Sequence, residues 1–65
     1  MKVIYDPKED VVSIILKMAP IAESNEGKPG IIMDYDRDGN LIGLDILEAS
    51  MRIGNPRSLE YAIRA

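Results

Sequence analysis

Apolar and polar positions alternate through this chain in two blocks of the same design. From Gly30 to Leu47, GIIMDYDRDGNLIGLDIL, two runs rich in Ile and Leu are separated by the turn-forming cluster Asp36-Arg37-Asp38-Gly39-Asn40, the pattern of a β-hairpin. Lys2 to Asp6 and Val11 to Lys17, both with β-branched residues, flank Pro7-Lys8-Glu9-Asp10 and predict a second hairpin. At an offset of thirty residues, Tyr5-Asp6 falls on Tyr35-Asp36 and Val11-Val12-Ser13-Ile14 falls on Leu41-Ile42-Gly43-Leu44. This is one supersecondary unit used twice rather than a solenoid, which needs at least three units.

The faces of the strands predict their register, because a slip of one residue exchanges the core face for the wet one. With Asp36 opposite Leu41 and four residues in the loop, Tyr35, Met33 and Ile31 lie beside Ile42, Leu44 and Ile46, a wholly apolar face. A three-residue loop with Gly39 at the left-handed position of a G1 bulge would set Ile42 beside Asp34 and Ile31 beside Asp45. Burying unpaired carboxylates is costly, so the four-residue loop is the expectation. The same reasoning places Tyr5 and Val3 beside Val12 and Ile14. On the other face Ile4, Val11, Ile15, Ile32, Leu41 and Leu47 alternate with Asp34, Asp36 and Asp45. So many aliphatic residues call for cover from a helix or a second subunit.

Met18 to Pro29, with two prolines and several polar residues, is the connection between the hairpins, and Ile21-Ala22-Glu23 within it has the makings of a short extra strand. After Leu47 the pattern changes. Glu48 to Ile53 suits a helical turn stopped by Gly54, and Asn55-Pro56 reads as a helix start, with Leu59, Ala62 and Ile63 as its apolar stripe. The expectation is one small α+β domain over residues 1–65. An antiparallel sheet of about four strands from two β-hairpins occupies residues 1–47, and a helical C-terminal segment, 48–65, ends in a short helix that covers one face.

Composition narrows the function. A 65-residue chain removes only about 60% of its unfolded surface from water, and without cysteine it has neither disulfide nor thiolate metal site to support the core. That combination predicts self-association, most simply a homodimer. The opening residues lack a signal-peptide core and Val11 to Leu16 is too short to span a bilayer, so a cytoplasmic protein without membrane contact is expected. Net charge is −3, divided between −5 over residues 1–50 and +2 over the last fifteen, where Arg52, Arg57 and Arg64 outnumber Glu60. An acidic body with three scattered arginines and only three tyrosines for aromatics argues against nucleic acid as a partner.

With no His and no Cys, neither a Ser-His nor a Cys-His pair can be assembled, and the chain has no phosphate-binding glycine loop. No catalytic residue, cofactor or metal ligand set is therefore predicted, and the protein is read as non-enzymatic. Asp34-Tyr35-Asp36-Arg37-Asp38-Gly39 does fit the opening of a calcium loop, with Asp45 at its twelfth position. Such a loop needs flanking helices and usually a longer Glu at its end, whereas these flanks are strands. Asp-rich turns ending in Gly are also ordinary hairpin chemistry.

Tyr5-Asp6-Pro7, the run Val11 to Leu16, Ala22-Glu23-Ser24, Gly30 to Asp36, Gly39 and Leu41 to Ser50, in that order, resemble a small prokaryotic family, domain of unknown function 2283. The resemblance covers about residues 1–53 and brings no activity and no catalytic residues with it. It implies a place beside small ribonuclease-like toxins, hence an antitoxin role. Two expectations stand together. One is a protein-interaction module, an antitoxin-like partner of a basic toxin, binding through Ile32, Asp34, Asp36, Leu41, Asp45 and Leu47. The other is a small metal- or ligand-binding domain using the acidic hairpin Asp34 to Asp45.

Overall fold

The computed structural model describes residues 1–65. Five strands, β1 (Lys2–Asp6), β2 (Val11–Ile15), β3 (Glu23–Lys28), β4 (Ile31–Tyr35) and β5 (Leu41–Leu47), precede a single helical turn, α1 (Ala49–Arg52). They form one antiparallel sheet in the order β1-β2-β5-β4-β3, so the two hairpins are joined through β2 and β5. The sheet has five strands where about four are expected, because the connection supplies one: Glu23–Lys28 pairs along β4 as an edge. Every residue of β3 is exposed. It is held by its ladder, not by a buried side, and its charges with a bulge between Asn25 and Lys28 suit a protected edge. Lys28 and Ile31 pair across Pro29-Gly30, with Gly30 at φ 83, the residues of a type II turn.

The register of the first hairpin matches the face argument, Tyr5 facing Val12 and Val3 facing Ile14. In the second hairpin Met33 faces Leu44 and Ile31 faces Ile46 as expected, but Tyr35 faces Leu41 and not Ile42. The loop is the three-residue form: Gly39 N–H donates to the Asp36 carbonyl, Asp36 N–H donates to the Asn40 carbonyl, and Gly39 has φ 82. A second irregularity between Asp34 and Tyr35 then makes Ile42 an extra residue on β5 and restores the pairing that keeps Asp34 and Asp45 off the apolar first face. The turn takes its preferred G1 geometry and the faces keep theirs. The two halves of the repeat thus differ at their turns, since the first has four residues, Pro7 to Asp10, with Asp10 at φ 56. They share a capping carboxylate: Asp6 accepts from the amides of Lys8 and Glu9, Asp36 from those of Asp38 and Asn40.

Rows of directly opposed residues define the two faces. Val3, Ile14, Leu44 and Met33 form one row of the first face, and Tyr5, Val12, Ile46 and Ile31 the next. The second face carries the row Ile4, Ser13, Asp45 and Ile32, and beside it Ile15, Gly43, Asp34 and Ser24. The helical segment is much shorter than expected. Asn55-Pro56 starts a turn, with the Asn55 side chain accepting from Arg57 N–H and its carbonyl from Ser58 N–H, and no helix follows. Leu59 and Ile63 stay exposed, so the apolar stripe does not pack on the sheet, and a helix that short is marginal without such packing. The molecule measures 35 × 33 × 18 Å and fully buries only three hydrophobic residues, Val12, Ile42 and Ala49.

Candidate protein-binding surface

Of the six residues singled out for binding, the fold brings four onto the second face. Ile32 and Asp45 are directly opposed, Asp34 is opposite Gly43, and Leu47 is opposite Val11; all four are half-buried. β4 and β5 hold them by strand alternation, and β5 is central, so Asp45 lies well inside the sheet. Gly43 is fully covered and has no side chain to fill the row: a Cβ there would stand 3.1 Å from the Ile14 carbonyl oxygen and 3.7 Å from Asp34 Oδ2. The result is a hollow over Gly43, bounded by Ile15, Asp34 and Asp45 and walled by Met18 and Ile21 of the connection. Asp34 is positioned in it by the Ser24 hydroxyl, which donates to Oδ1.

The other two candidates serve the turn. Asp36 accepts from the amides of Asp38 and Asn40, both at 2.9 Å, and from the Asn40 side chain at 3.1 Å. These bonds, those from Asn40 first, hold its carboxyl below the usual carboxylate range. Leu41 is displaced beside the bulge opposite Tyr35 and is 39% exposed. The acidic hairpin gathers no group of three side chains able to hold a metal ion. Asp36 engages one oxygen with backbone amides and the other with the Asn40 side chain, and Asp45 lies several residues back along β5.

A polar cluster at the opposite end of the sheet was not foreseen. Asp10, in the left-handed conformation that Asp tolerates better than most residues, accepts from the Tyr5 hydroxyl at 2.8 Å and, through its two oxygens, from Ser50 N–H at 2.9 Å and Oγ at 2.6 Å. Its carbonyl accepts from Ala49 N–H. The start of α1 thus takes its cap from a residue forty positions away, while the local Glu48, at φ 51, offers no side-chain cap. Hydrogen bonds from Ser50 and then Tyr5 hold the Asp10 carboxyl low, and the bond to Asp10 pushes the Tyr5 phenol up. The one available sequence signal is an Asp at the fourth position of the first turn. Across the same end, Arg52 donates from Nε to the Leu47 carbonyl and lies over Gly30, while Arg57 stands 5.7 Å from the Tyr5 ring centre.

A single antiparallel layer with one apolar face and one mixed acidic face describes a small β domain. No helix is long and apolar enough to cross a membrane. The chain belongs to the family described as protein of unknown function (DUF2283), whose sequence model matches residues 2–50. The matched span takes in the whole sheet and ends at Ser50, the residue that closes on Asp10. No curated protein and no solved structure matches the chain.

Proposed function

We propose that this domain is a non-catalytic protein-interaction module whose second face receives a cationic protein. The observation that supports this reading is the hollow over Gly43, where half-buried Asp34 and Asp45 stand among Ile15 and Met18 and Ile21 of the connection, with a balance of −5 over residues 1–50 behind them. Acids of this kind speed encounter and select against wrong partners, and the aliphatic residues between them supply the desolvated contact that holds a complex together. The family resemblance makes a basic ribonuclease-like toxin the first partner to test, in an antitoxin role. The acidic hairpin is a weaker basis for a metal-binding role, since the oxygens of Asp36 are engaged by its own turn.

The experiment pairs this protein with the product of the neighbouring gene and measures association across a salt series. Binding should weaken as salt rises, and Asp34→Asn with Asp45→Asn should slow association and flatten the salt dependence. Absence of any binding, or binding indifferent to both changes, rejects the assignment of this face.

A further inference from the structure

We infer that the first face is covered by the first face of a second copy, giving a two-layer sandwich in which both acidic faces point outward. This does not depend on the cationic partner, since it concerns the opposite side of the sheet. The rows Val3-Ile14-Leu44-Met33 and Tyr5-Val12-Ile46-Ile31 contain no charged side chain, yet of these eight only Val12 is buried. An isolated layer of this kind lacks the second layer on which domains are built.

Four observations favour a second copy as the occupant. The two rows themselves hold no charge, and the charged groups at their margins, Arg57 over the Tyr5 ring and Glu23 and Lys28 on β3, are of both signs, so pairing the rows about a two-fold axis sets no charge between them, and the acids of the second face stay in water. Its part-exposed side chains continue at the β1 margin into Met1, Leu59 and Tyr61, which are 73%, 70% and 70% exposed, so the apolar surface open to a partner is wider than the two rows. Edge pairing is a poor alternative at β3, where every residue is exposed, charges are frequent and the ladder is irregular. Finally, three buried hydrophobic residues cannot hold 65 residues folded, so the cover must be present whenever the chain folds. A second copy always is.

The test uses the full chain. Sedimentation equilibrium should give twice the chain mass at micromolar concentration, and the melting temperature should rise with protein concentration. Leu44→Glu, on the first face, should weaken dimerisation by at least about a hundredfold, because it would bury an unpaired carboxylate, whereas Ile4→Glu, on the second face, should leave it unchanged. A readout on the unaltered protein guards against a variant that fails to fold. With a soluble paramagnetic agent, the Met33 methyl should be shielded while those of Met18 and Met51 relax freely, and dilution should expose Met33. A monomeric mass at hundreds of micromolar, whether the chain is folded or not, overturns the inference. So does a dimer in which Met33 stays accessible.

Discussion

Gly39 and Gly30 adopt nearly the same backbone conformation, φ 82 and 83, in different surroundings. A Cβ at Gly39 meets nothing within 4 Å, so Gly39→Ala should cost only the left-handed backbone penalty, about 1 kcal/mol. At Gly30 a Cβ would collide with the Arg52 guanidinium, which would have to leave its bond to the Leu47 carbonyl. Gly30→Ala should therefore be the more damaging change, and Gly30→Ala combined with Arg52→Ala should recover part of the difference. Urea unfolding of the variants at one protein concentration checks both statements; equal losses at the two glycines would show that Arg52 yields at no cost.

Among the elements, the tail makes the clearest prediction. Residues 55–65 form a turn and then no regular structure; Leu59 and Tyr61 border Met1 and Val3 but stay 70% exposed, and the closer tie to the sheet is Arg57 over the Tyr5 ring. An exposed contact of that kind is worth about 0.5–1 kcal/mol. Removal of residues 55–65 should accordingly leave the far-ultraviolet spectrum of a sheet and lower unfolding stability by no more than about 1 kcal/mol per chain, apart from any effect on association. Loss of the sheet would reveal a larger role. At this segment Leu59, Ala62 and Ile63 have helical spacing, but periodicity stabilises a helix only when the stripe packs against a surface, and Leu59 and Ile63 stay in water. The extra strand read at Ile21-Ala22-Glu23 meets β3 only at its start, Glu23, because an all-polar edge strand is specified by pairing and leaves no apolar signature for its remaining residues. The hairpins were legible because burial sets register, down to Met33 facing Leu44. Their loop departs from the four-residue expectation because turn geometry and face matching are not alternatives: the extra residue Ile42 satisfies both.

Across the whole molecule, the clasp of Asp10 on Ser50 joins the first turn to the segment after the last strand. No local pattern announces it, because its partners meet only when β2 and β5 pair. It also gives stability a defined pH dependence. The folded-state carboxyl of Asp10 lies below its ordinary value, so the clasp contributes fully above the unfolded carboxyl range, near pH 4, and is lost as pH falls through the lower folded value. Asp10→Asn, which keeps the left-handed residue and an acceptor, should be less stable at neutral pH and lose less on acidification. Stability curves for the two proteins between pH 7 and 2 should converge; parallel curves would show that another carboxylate controls the acid limb.

The strand order also sets a timetable for synthesis. β5, which unites the two hairpins, is the last strand to be made, so the flank of β2 that it will occupy stays open until Leu47 has emerged. At about 5–20 residues per second, the thirty-two residues from Leu16 to Leu47 take seconds to translate, long compared with the microseconds a hairpin needs to form. During that interval the nascent chain presents an apolar strand with unpaired amides and carbonyls, an open edge of the kind on which other chains can pair.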